Sequence, residues 1–186
     1  GQVAVLVCVM ADAYPPHSYA NPWVFLEGAL RVIHQGEYVG AGHHVAVFDA
    51  GGDGRDEFLI GYQLVDARGQ VLWTVDCWDS EQLDPLEHHV DHAEVCWLGD
   101  AWFAALSGTS WQYWVDSSGH TLWAHRLPHP QFCVVGHGES GVEILVLNQR
   151  ASTYCFDTDG RELWRGVLPE NWPMGRPAGG FGPRPI

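Results

Sequence analysis

Asp66-Ala-Arg-Gly69-Gln-Val-Leu72-Trp73 reads Asp-x-x-Gly-x-x-Leu-Trp, and the pattern returns without gaps as Asp116-Ser-Ser-Gly119-His-Thr-Leu122-Trp123 and Asp157-Thr-Asp-Gly160-Arg-Glu-Leu163-Trp164. Each copy follows a strand-like run, Tyr62 to Val65, Trp111 to Val115 and Ser152 to Phe156. A carboxylate that opens a turn, a glycine free to take φ > 0 and a bulky apolar pair behind it are the parts of a β-hairpin. The copies lie roughly 41 to 50 residues apart, the period of a four-stranded propeller blade. Helical periodicity is nearly absent, and Val24 to Ile33 reads as a strand pair with a short helix as the alternative. The expected fold is all-β: a β-propeller of about four antiparallel four-stranded blades near 1–43, 44–91, 92–128 and 129–170. Four blades are the fewest known to close, so the chain is either a small complete ring or part of a larger one of seven or eight blades. Residues 171–186, rich in Pro and Gly, read as a terminal tail and not as a closing strand.

Of 186 residues, 46% are apolar and 12% aromatic, enough to bury a core and exclude a disordered chain. The formal charge of −14 repels a phosphate backbone, so nucleic acid is not an expected partner. The longest apolar run, Val3 to Met10, is too short to cross a bilayer. The first residues lack a basic n-region, and the chain opens on Gly1, which fits a mature or excised piece. Cys8, Cys77, Cys96, Cys133 and Cys155 stand singly and are expected as buried free thiols. They leave a cytoplasmic and a secreted location equally open.

A second repeated feature bears on function. His44-Val-Ala-Val-Phe, His92-Ala-Glu-Val-Cys and His129-Pro-Gln-Phe-Cys each open an alternating strand ahead of a hairpin. First strands of successive blades line a central channel, so these three imidazoles are expected to face one funnel. A single such His serves equally well as a hydrogen-bond partner of the neighbouring blade; three in step favour a shared site. His43, His88, His89, Asp91 and Gln131 crowd the same places. Trp73, Trp123 and Trp164 share one repeat position and are expected to pack between blades.

Between the first of these strands and its hairpin lies Asp49-Ala-Gly51-Gly-Asp53-Gly54-Arg55-Asp56-Glu57. Oxygens at alternate positions around a glycine turn suit Ca²⁺: carboxylates of Asp49, Asp53 and Glu57 and the Arg55 carbonyl, with Gly51 where a further ligand is usual. An acidic turn without metal is the alternative. The His cluster offers a second metal reading, a transition metal held by imidazoles with Gln131 or Asp91.

The run Gly40 to Gly61, with Val65-Asp66-Ala-Arg-Gly69 after it, resembles the calcium-loop blades of family 11 rhamnogalacturonan lyases. His89-Val-Asp-His92-Ala-Glu-Val and His129-Pro-Gln-Phe-Cys-Val-Val-Gly, with Gly141-Val-Glu-Ile, are similar to the succeeding blades. Calcium loops of this kind also occur in FG-GAP blades. The resemblance, over about residues 40 to 165, implies a calcium-containing propeller, eight-bladed in that family, that cleaves acidic pectic polysaccharide by β-elimination. This chain is half that length or less, which implies further blades if it is a fragment. β-Elimination beside a uronate needs a base, a proton donor and a carboxylate neutraliser. His44, His92 and His129, with His89 in reserve, are the expected acid–base residues. Arg55 or Arg126 would meet the carboxylate, and Gln131, Tyr14, Tyr19 and Trp23 would contact sugar. The alternative is a noncatalytic, calcium-stabilised propeller that binds a glycan or a protein. Signatures of the common hydrolases, kinases and dehydrogenases are absent from the sequence.

Overall fold

Each repeated turn is held by its own aspartate. Asp66 Oδ1 accepts the amides of Arg68 and Gln70, both at 2.8 Å, Asp116 Oδ1 those of Ser118 and His120, and Asp157 Oδ1 those of Asp159 and Arg161. The glycine three residues after the aspartate takes left-handed backbone in every copy, with φ of 83° at Gly69, 83° at Gly119 and 81° at Gly160. A side chain there would cost about 1–2 kcal/mol in backbone strain alone.

The computed structural model describes residues 4–8, 23–28, 30–76, 89–139, 141–148 and 152–167, with backbone only for 4, 5, 7 and 8. These residues form four antiparallel sheets. The first has three strands, β1 (Ala4–Cys8), β2 (Trp23–Glu27) and β3 (Arg31–Gly36). The second contains β4 (Ala46–Phe48), β5 (Glu57–Ile60), β6 (Gln63–Val65) and β7 (Val71–Thr74). The third contains β8 (Val90–Leu98), β9 (Ala101–Gly108), β10 (Trp111–Asp116) and β11 (Thr121–Arg126). The fourth contains β12 (Pro130–Gly138), β13 (Gly141–Asn148), β14 (Ser152–Asp157) and β15 (Glu162–Val167). Every sheet is an up-and-down meander, and the Val24–Ile33 stretch is the strand pair β2–β3, not a helix.

The meanders pack face to face as propeller blades. One buried cluster (Phe25, Tyr38, Phe58, Ile60, Val65) joins sheets one and two, a second (Leu59, Leu64, Trp102, Leu106, Tyr113) joins two and three, and a third (Trp114, Ile144, Val146, Phe156) joins three and four. Among the described residues no such cluster joins the fourth sheet to the first. β12 packs on β8 and β9, and β4 touches β8, so the first strands form the inner edge of the arc. At the outer edge the contact between blades is made by the repeated tryptophan. Trp73 Nε1 donates to Ser117 O and Trp123 Nε1 to Thr158 O, both at 3.1 Å, each reaching into the next blade's turn. The ring lies so close to the turn glycine that a Cβ on Gly119 or Gly160 would stand 2.7 Å from it.

A fourth, altered copy of the hairpin occurs in the first sheet. Phe25 pairs with His34, and the register shifts just after Phe25, as Leu64 pairs with Trp73 before a shift in the second sheet. Glu27, Leu30, Ile33 and His34 thus stand where Asp66, Gly69, Leu72 and Trp73 stand. Leu30 keeps the turn's left-handed backbone at φ 62°, and His34 lies against Gly69, whose Cβ would meet its ring at 2.1 Å. By the same register, β1 to β3 are the second to fourth strands of a blade.

Candidate functional site

Asp91 is an extra residue in its strand. In β8, Val90 pairs with Gly108 and His92 with Ser107, which leaves Asp91 in a β-bulge without a partner on β9. Bulges re-aim side chains, and this one turns a carboxylate into the inner edge, where it is 4% exposed. β12 repeats the device: Pro130 pairs with Asn148 and Phe132 with Leu147, with Gln131 as the extra residue.

Three imidazoles from the segments leading into three successive sheets gather on that carboxylate. His89 Nε2 lies 2.8 Å from Asp91 Oδ1, His43 Nε2 3.5 Å from the same oxygen, and His129 Nε2 3.4 Å from Oδ2. His89 is fixed on its other side by Thr109, with Oγ1 3.1 Å from Nδ1 and the Thr109 amide donating to the His89 carbonyl. A proton on His89 Nε2 and the Thr109 hydroxyl donating to Nδ1 satisfies both contacts. His43 is carried by the loop before β4, which crosses β8 at Gly42; a Cβ there would stand 2.0 Å from the Val90 carbonyl, and Val90 N donates to Gly40 O. His129 sits in left-handed backbone at φ 51° just before Pro130, an uncommon conformation that its surroundings must hold in place.

Burial divides the cluster into a shielded pair and two accessible rings. The side chains of His89 and Asp91 are 4% and 5% exposed, those of His43 and His129 44% and 32%. Burial by itself would raise the Asp91 carboxyl; the His129 and His89 imidazoles outweigh it and hold the group below the usual carboxylate range, so it stays ionised. Burial lowers His43, against the pull of Asp91, which leaves it neutral at pH 7. Asp91 Oδ2 has no hydrogen bond of good geometry. His129 Nε2 lies 3.4 Å from it, near enough for charge attraction but too poorly aligned to satisfy the oxygen.

The expected trio is redistributed. His44 and His92 are in step, with rings 5.7 Å apart, and form a second pair beside an open groove of about 380 Å³ lined also by Val47, Glu94 and Trp97. His92 is lowered to about 4, by burial first and by the His44 imidazole second. Its Nδ1 lies 3.5 Å from Cys133 Sγ. His129 is out of step with them by three residues. The pairings of β8 with β9 and β12 with β13 match His129 to His89, Gln131 to Asp91 and Phe132 to His92. The shared His-x-x-x-Cys spacing aligned Cys133 with Cys96, whereas Cys133 occupies the position of Ala93 and faces the interior.

Of the other expected residues, Gln131 is half-buried on its bulge, and Arg55 and Arg126 are exposed, the latter at the C-terminal end of the edge strand β11. Trp23 does not present its ring to a sugar: it is 6% exposed and belongs to the core between sheets one and two. Tyr14 and Tyr19 lie outside the described residues. Asp49 accepts the amides of Asp53 (3.0 Å) and Gly54 (2.8 Å), Asp53 that of Arg55 (2.9 Å), and Glu57 that of Ala50 (2.8 Å). The loop's carboxylates are therefore engaged by its own backbone. Among the described residues, the group of three metal-ligating side chains with donor atoms within 4.8 Å of one another is His43, His89 and Asp91. Thr109 had no signal in the sequence. Cys133 and Cys155 are buried free thiols, raised by burial to about 12 and about 11, and Cys96 is half-buried.

No protein-family model matches the sequence, and no curated protein matches it. Solved structures do. An exotype rhamnogalacturonan lyase, YesX, is 18% identical with a TM-score of 0.62, over 78% of this chain and 28% of its own. The rhamnogalacturonan lyase YesW is 17% identical with a TM-score of 0.60, over 80% of this chain and 27% of its own. The V. cholerae biofilm matrix protein Bap1 is 16% identical with a TM-score of 0.56, over 79% of this chain and 24% of its own. At these identities the likeness shows the fold, a β-propeller, and the chain spans about a quarter of each of these proteins.

Proposed function

We propose that the chain forms part of a propeller that binds a uronate-containing glycan at the Asp91 cluster and cleaves it by β-elimination. The observation that carries this reading is the convergence of His43, His89 and His129 on one buried carboxylate. His43, neutral and open to solvent, takes the C5 proton; the C4–O bond breaks as the C4=C5 double bond forms. His129, on the opposite oxygen of Asp91, protonates the leaving oxygen. His89 and Asp91 are positioning residues that hold the two working rings, as a carboxylate behind an imidazole commonly does.

The chain's charge of −14 opposes an acidic polymer, so a local positive charge is needed. A divalent cation on His43, His89 and Asp91 would supply that charge for binding, but it would occupy the His43 imidazole, so the cation-loaded cluster suits the noncatalytic reading and His43 acts as base only without it. The Asp49–Glu57 loop is the candidate calcium site; its closed amide network suits a structural and not a catalytic role.

The test is the appearance of unsaturated uronate, read by ultraviolet absorbance, from rhamnogalacturonan and polygalacturonate. His43→Ala and His129→Ala are expected to abolish product while retaining glycan binding by calorimetry. Binding without product from the unaltered protein would instead establish the noncatalytic glycan module. Neither product nor binding would end both.

A further inference from the structure

Within the chain each blade grips the next in one way. A row of residues crosses the sheet, paired strand to strand, and ends on the outer aromatic. In the second sheet it is Ala46, Leu59, Leu64 and Trp73, all in the core shared with the third sheet. In the third it is Glu94, Ala105, Trp114 and Trp123, the last three in the core shared with the fourth. In the first it is Leu6, Phe25 and His34, with Leu6 and Phe25 in the core shared with the second.

The same register in the fourth sheet gives Val134, Leu145, Cys155 and Trp164. This row is as apolar as the others; Cys155 within it is buried by its own sheet, but Val134 is 39% and Trp164 47% exposed, and among the described residues no buried cluster forms on it. We propose that this face is the seat of a following blade of the same ring, whose outer hairpin carries an Asp-x-x-Gly turn that receives Trp164. The interface continues a series already present three times in the molecule. It also specifies its occupant: a glycine at φ > 0 under the indole, and the carbonyl after the turn aspartate to accept Nε1–H, as Ser117 and Thr158 do.

The first sheet does not meet that specification. Its outer turn has Leu30 in the glycine position. A Cβ at the corresponding point of the third and fourth turns would stand 2.7 Å from the tryptophan ring, so an indole cannot lie on Leu30 as Trp73 lies on Gly119. The seat therefore belongs to a blade other than the four described.

Hydroxyl-radical footprinting read by mass spectrometry tests this, with Trp97, 49% exposed, as the internal reference. In the 186-residue chain Trp164 should be oxidised about as fast as Trp97 at every protein concentration. Protection independent of concentration would show that residues 168–186 cover it, and protection that grows with concentration would show a second copy; either overturns the proposal. A chain extended past Ile186 by a second copy of residues 89–127 presents the appended blade to Trp164 at high local concentration. Oxidation of Trp164 should then fall several-fold with Trp97 unchanged, and Gly119→Val placed in the appended copy alone should restore it. Absent protection, or protection that survives the valine, overturns the proposal.

Discussion

Leu30 holds a left-handed turn that its neighbours in the repeat assign to glycine, and its side chain is 70% exposed, so nothing is lost when it is removed. Relief of strain outweighs the added chain entropy of glycine, and Leu30→Gly is expected to stabilise the fold by about 1 kcal/mol in urea unfolding. His92 works in the opposite sense. It titrates at about 4 in the fold against 6.5 when unperturbed, so between those values the unfolded chain binds the proton more readily and stability falls as pH drops. His92→Phe, which copies Phe132 at the matching position, should flatten this part of the curve of unfolding midpoint against pH. A slope that is unchanged would mean the ring is not buried as described. Asp91 adds a loss at lower pH: its carboxyl is held below the ordinary 3.8, so the stability it confers is present above that value and disappears as pH falls through the folded pKa. His43 was the residue the sequence placed beside the site when it belonged inside it, because adjacent side chains point to different faces and nothing in His43-His44 says which one faces inward.

At the scale of the element, the hairpins were readable because their chemistry is local: the aspartate, the glycine and the return strand lie within eight residues. The first hairpin was legible as a strand pair over Val24 to Ile33 but not as a copy of the repeat, because Glu27, Leu30 and His34 replace all three marks at once and only the pairing of Phe25 with Leu6 and His34 across the strands reveals the register. The bulges at Asp91 and Gln131 escaped for the same reason, and with them the true partner of His129. The turn and the tryptophan above it should behave as one unit. Gly119→Ala incurs about 1–2 kcal/mol of backbone strain and must also displace the Trp73 ring. In a Trp73→Ala background only the strain should remain, so a double-mutant cycle on unfolding free energies should show clear coupling. Purely additive costs would separate the two. Asp49, which accepts two amides of its loop, is a simpler case: Asp49→Ala should cost about 1 kcal/mol even under EDTA, measured by thermal unfolding.

Over the whole molecule, the period of the repeats was enough to place the sheets in a propeller, since a meander that cannot bury both faces alone must stack on its neighbours. How the imidazoles share the inner edge was not legible, because it depends on which residue each bulge ejects from the ladder. The chain carries a surplus of 14 negative charges in 186 residues, so added salt should raise the unfolding midpoint by screening repulsion; a fall would indicate that attractive pairs dominate. The bulge on the first strand has one more implication. Because the ejected residue takes no part in the ladder, Asp91 in one blade and Gln131 in the next can differ without moving any neighbour to the opposite face. The frame thus carries an interchangeable position in each of these two blades, through which a propeller of this design can exchange its reagents while its skeleton stays the same.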